Sequence, residues 1–88
     1  MANTNYSKQI DKIKKTLISD ITGLVGKETL KFKYGFNVVL ENGIGEIQKI
    51  KGEYITAKDD GGMKFEEHLS GLFVEDLLVI RNAILTME

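Results

Sequence analysis

Cysteine, proline and tryptophan are all missing from this 88-residue chain, and histidine occurs once. Without cysteine there is no disulfide frame, no thiolate zinc site and no thiol nucleophile, and a lone histidine cannot complete a Cys/His zinc set. A chain without cysteine also fits a reducing compartment. Without proline there is neither a rigid linker nor a PxxP docking segment. Long hydrophobic runs are missing too. No window approaches 18 consecutive apolar residues, so no membrane-spanning helix is expected. Met1-Ala2-Asn3-Thr4-Asn5 has no basic run ahead of an apolar stretch and does not read as a secretory signal. The expectation is a cytoplasmic protein that does not engage a membrane.

Residues suited to catalysis are equally sparse. Glu66-Glu67-His68 suggests a metal or acid–base site only superficially. On a strand Glu66 and His68 share a face that Glu67 opposes, and two ligands from one segment do not make a site without a second cluster. Asp59-Asp60-Gly61-Gly62 lacks the alternating oxygen ligands and closing glutamate of a calcium loop, and reads as a turn. Gly43-Ile44-Gly45 lies in a hairpin rather than between a strand and a helix, so it is no phosphate cradle. No Ser-His-Asp set has a defensible spacing. The chain is therefore expected not to be an enzyme, with no metal, no cofactor and no evident small-molecule substrate.

What is present is a strong scaffold signal. Leu30, Phe32, Tyr34, Phe36, Val38 and Leu40 recur at every second residue, which puts them on one face of a strand over about 29–41. Asn42-Gly43 follows, the dipeptide best suited to a tight hairpin turn. A second strand starts at Ile44, and a two-residue turn places Val38 opposite Ile47. Regular pairing would then set Lys49 opposite Phe36 and turn Ile50 outward. One extra residue near Gln48-Lys49 brings Ile50 back to the apolar side, opposite Phe36, so a β-bulge is predicted there. Gly35 marks a bend, a bulge or a close approach of a helix.

On either side of the hairpin the period changes. Ile10, Ile13, Leu17, Ile21 and Leu24 fall within about 80° of one another on a helix. Asn5 or Ser7 is its expected cap, and Gly23 or Gly26 its end. Residues 1–4 are expected to be frayed. After the hairpin, Tyr54–Lys58 and Met63–His68 read as two further strands, and a helix follows from about Phe73 to Thr86. Glu75 and Asp76 suit its first turn, where the helix dipole favours acids. The whole is one α+β domain over residues 1–88: N-terminal helix, four-stranded antiparallel β-meander, C-terminal helix. The alternative is a small SH3-like β-barrel flanked by helices.

Two features suggest a function. Apolar residues cover more than half the circumference of the C-terminal helix, more than one packing surface needs. This points to a protein–protein interaction module that self-associates, most simply as a homodimer, or that binds another protein. The interface expected from the pattern is Leu77, Ile80, Arg81, Ile84 and Met87. The competing explanation is that the first helix covers the excess. Arg81, in the middle of the arc, either bonds an acid across the contact or reaches past the helix edge to water.

The second feature is charge. Residues 1–40 carry seven lysines and three acids, net +4, while residues 41–88 carry five basic residues and ten acids, net −5. Lys8, Lys12, Lys15, Lys31 and Lys33 form the candidate contact for a nucleic-acid partner, the alternative function. Against it, the aromatics of the first strand point to the core and no arginine lies in the patch.

Overall fold

The computed structural model describes residues 2–40 and 43–87, with the backbone alone for residues 2–7. In chain order the elements are α1 (Ala2–Val25), β1 (Leu30–Lys31), β2 (Asn37–Leu40), β3 (Gly43–Lys51), β4 (Tyr54–Lys58), β5 (Lys64–His68), a 3₁₀ turn (Leu69–Gly71) and α2 (Val74–Leu85). The fold is α+β. All strand pairs are antiparallel. The order is β1-β3-β4-β5, and β2 joins β1 on the same flank of β3. Among the described residues no ladder joins β5 back to β1 or β2, so the sheet is open rather than a barrel. It has five strands where four were expected, because the first expected strand is divided in two.

That division is the main departure from the sequence pattern. Phe32 N donates to Gln48 O (3.0 Å) and Ile47 N donates to Phe36 O (2.9 Å). Gln48 and Ile47 are neighbours on β3, whereas Phe32 and Phe36 are four apart. Lys33, Tyr34 and Gly35 are therefore extruded from the ladder, and Gly35 does mark a bend. Phe32 and Phe36 close the gap beneath, ring edge to ring face at 5.5 Å. Tyr34, which alternation assigned to the apolar face, is 78% exposed.

The predicted bulge is present. Ile47 pairs with Ala57 and Lys49 with Thr56, leaving Gln48 as the extra residue. Both Ile47 and Ile50 consequently reach the core, fully buried. Ile50 lies opposite Leu30 rather than Phe36, since the edge strand has been offset by the extruded residues. The turn expected at Asn42-Gly43 includes a residue outside the described ones. Its flanks nonetheless set the register: Leu40 lies opposite Gly43 and Val38 opposite Gly45, not Ile47. Packing explains the choice. A Cβ on Gly45 would stand 2.8 Å from Leu40 Cδ1 and 3.2 Å from Ala57 Cβ, so glycine lets both neighbours close in on this point of β3 without displacement.

The remaining turns follow local chemistry. Gly52 and Gly62 take the positive φ their turns require. Asp59 closes the β4–β5 turn, its Oδ1 accepting from Met63 N at 2.8 Å.

Both helices lie on the apolar side of the sheet. Val38, Leu40, Ile47, Ile50, Ile55 and Ala57 form the floor of the core, Leu17, Ile18 and Ile21 come from α1, and Leu77, Ile80 and Ile84 from α2. Leu69 and Leu72, in and just after the 3₁₀ turn, are fully buried between them. Aperiodic and only three residues apart, they gave no pattern to detect. α1 begins at Ala2, upstream of the expected caps Asn5 and Ser7, and takes in residues 2–4, expected to be frayed. Its end is as predicted: Gly26 adopts φ 73° and donates to Thr22 O at 3.0 Å. Twenty-four residues make a helix about 36 Å long, nearly the longest dimension of the molecule, 42 Å. From Lys8 to Thr16 no residue is buried, so the C-terminal half anchors it.

Candidate interaction faces

α2 forms because Val74, Leu77, Ile80 and Ile84 recur at helical spacing and Glu75 and Asp76 sit at its positive end. Asp76 does more than suit the dipole. Its Oδ2 accepts a hydrogen bond from Val39 N at 2.9 Å, capping a donor on the outer edge of β2 that could otherwise recruit another strand. The helix is thus tied to the sheet edge at one end and laid against α1 along its length.

Of the residues expected at an interface, Leu77, Ile80 and Ile84 are buried within the chain itself. The first helix does cover that part of the arc, which makes these three core residues of the single chain rather than contact residues. Arg81 remains at the surface, its Nε 3.6 Å from Asp20 Oδ2 on α1, both side chains partly exposed. It therefore finds its acid within the chain. Met87 is half-buried at the other end of α2, beside a cleft of about 560 Å³ that also includes Phe32, Tyr34 and Ala83.

The apolar residues that α2 does present to solvent are different ones: Leu78, Val79 and Leu85. Leu78 and Leu85 lie three residues before and four after Arg81, on the same flank of the helix. Ile13 and Leu24 hold the matching positions on α1, on the flank that carries Asp20. Exposure of these four runs from 40% at Leu78 to 49% at Leu85. Between the helices a shallow depression brings Ile13, Leu17, Asp20 and Arg81 together. The result is a band of exposed apolar residues on the two helices, with the Asp20–Arg81 ion pair bridging between the helices. Periodicity alone could not separate this band from the core stripe, because both are apolar; the crossing of α1 decides which residues are covered.

The five candidate lysines do not form one patch. Lys8, Lys12 and Lys15 are exposed on α1, turned away from its buried stripe. Lys31 is on the opposite side of the molecule, on the uncovered face of the sheet, directly across from Lys49. Lys33 lies in the extruded bend with its Nζ 5.7 Å from the centre of the Tyr34 ring.

The Glu66-Glu67-His68 segment is placed as its alternation implied, with Glu66 opposite Thr56 and His68 opposite Tyr54 on one face, and Glu67 opposite Ile55 on the other. His68 acts as a structural cap. Its Nδ1 accepts from Ser70 N at 3.1 Å and meets Ser70 Oγ at 2.8 Å, starting the 3₁₀ turn. Its ring packs edge-to-face on Tyr54.

Among the described residues no helix is long and apolar enough to cross a membrane. These features define a small open-sheet α+β protein with both helices on one face. Neither the protein-family models nor the curated proteins nor the solved structures include a match to the chain.

Proposed function

We propose that this protein is a non-catalytic interaction module of the cytoplasm that self-associates through the outer surface of its two-helix layer. The observation that carries the reading is the band of Ile13, Leu24, Leu78 and Leu85 around the Asp20–Arg81 pair. Contiguous exposed apolar residues with a polar centre are the usual make-up of a contact surface. The central pair suits a two-fold arrangement. An acid and a base side by side on one surface are self-complementary, so two copies can exchange partners across the axis without burying an unmatched charge.

Sedimentation velocity over a wide concentration range tests this. A dimer is expected, and Leu85→Glu should convert it to a monomer with little change in the thermal midpoint of the monomeric fold, because Leu85 is outside the core. A wild-type chain that stays monomeric at the highest concentrations would overturn the reading.

A further inference from the structure

The face of the sheet turned away from the helices has a different character. It carries Lys31, Lys49, Lys51, Lys58 and Lys64 against Glu46 and Glu66, with Glu53 in the adjoining turn. This is a local excess of two positive charges in a chain whose net charge is −1. Three of the lysines are crowded at one end: Lys31 and Lys49 are direct cross-strand partners, and Lys51 is next along the same face of β3. Like charges placed directly opposite destabilise a sheet. None of the three makes an ion pair among the described residues.

Beside the lysines stands an aromatic. Tyr54 lies directly opposite Lys51 and is 49% exposed. The edge-to-face contact with His68, itself anchored by Ser70, holds its ring at 5.0 Å. Lys49, Lys51, Tyr54 and Thr56 share an open depression of about 530 Å³, with Glu66 at its β5 side. Lys49 and Lys51 are about 7 Å apart along the strand. Cations in a row next to a fixed, accessible ring are the two elements that hold a single-stranded nucleic acid: the lysines follow the phosphates and the ring stacks a base. Two carboxylates share the depression, Glu66 on the β5 side and Glu53 in the β3–β4 turn, where it faces His68 Nε2 at 3.8 Å, so the phosphates would run along the β1–β3 side.

We propose that this outer sheet face binds single-stranded nucleic acid, with Lys31, Lys49 and Lys51 on phosphates and Tyr54 under a base. The site is on the opposite side of the molecule from the helical band and does not depend on self-association.

The test is fluorescence anisotropy of the full chain with a short labelled oligothymidylate and with a duplex of the same length. The single strand is expected to bind at least tenfold more tightly. Three phosphate contacts at about 0.7 each give a slope near −2 in log affinity against log salt. Lys49→Glu should weaken binding at least tenfold while raising the thermal midpoint, because it turns the Lys31–Lys49 repulsion into attraction. A loss of binding in a more stable protein cannot be ascribed to unfolding. Tyr54→Ala should weaken binding about tenfold through the lost stacking. The doubly reversed Lys12→Glu, Lys15→Glu chain should bind as wild type. Absence of binding, equal affinity for the duplex, or loss confined to the α1 variant would each overturn the proposal.

Discussion

β3 and the segment from Leu30 to Leu40 begin with comparable sequences and end with different structures. They are the two halves of the hairpin; the first alternates apolar and polar residues throughout, and β3 does so with one break between Ile47 and Ile50. β3 runs unbroken for nine residues, with one bulge at Gln48. Its partner is divided into strands of two and four residues with a bend between. The difference is position in the sheet. From Glu46 to Ile50 β3 has neighbours on both flanks, so leaving the ladder there would break hydrogen bonds on two sides. The edge segment pairs with a strand on one flank only. Extruding three residues there costs little, and it lets Phe32 and Phe36 pack together over the offset that the bulge creates. The bulge and the bend meet at Gln48, which has no cross-strand partner on β4 and accepts from Phe32 on the other side.

If pairing on both flanks is what makes β3 the rigid half, damage there should be felt most. Ile50→Ala is expected to cost about 2–5 kcal/mol, read as a fall in the urea midpoint, since Ile50 is fully buried and the sheet has no slack to fill the cavity. A loss below about 1 kcal/mol would mean that the centre and the edge are equally adaptable. An intermediate effect belongs to the clasp that compensates the edge. Asp76→Ala removes the acceptor for Val39 N, and a loss of about 1–2 kcal/mol is expected, with faster amide exchange at Val39. Unchanged exchange there would show that α2 is not what protects the β2 edge. The smallest effect should come from the bend itself. Tyr34→Ser removes a ring that is mostly in water, and stability should stay within about 0.5 kcal/mol. A larger loss would place Tyr34 among the packing residues and erase the contrast.

Much of this was legible in the residues. The 3.6 and 2.0 periods located both helices and every strand region, and Gly26 and Asp59-Asp60-Gly61-Gly62 marked their boundaries. The bulge followed from a conflict visible in the sequence itself: Ile47 and Ile50 cannot share a face in a regular strand. The bend at 33–35 could not be read as an extrusion, because a strand that leaves its ladder keeps the same alternation. The candidate contact face was half legible. A helix apolar over most of its surface announces that something covers it, but only the position of α1 shows that Leu77, Ile80 and Ile84 are spoken for while Leu78 and Leu85 are not. The cluster of Lys31, Lys49 and Lys51 with Tyr54 was invisible, for its members come from three strands whose register depends on both the bulge and Gly45.

The sequence by itself determined the class of the fold, the C-terminal end of α1, the β4–β5 turn and the apolar side of most elements, because these depend on φ/ψ preferences and on periods within one segment. Tertiary structure alone decided how the edge strand divides, which apolar residues stay outside and which lysines meet. Those outcomes rest on pairing and packing between residues far apart in the chain, where one residue of register exchanges the two faces of a strand.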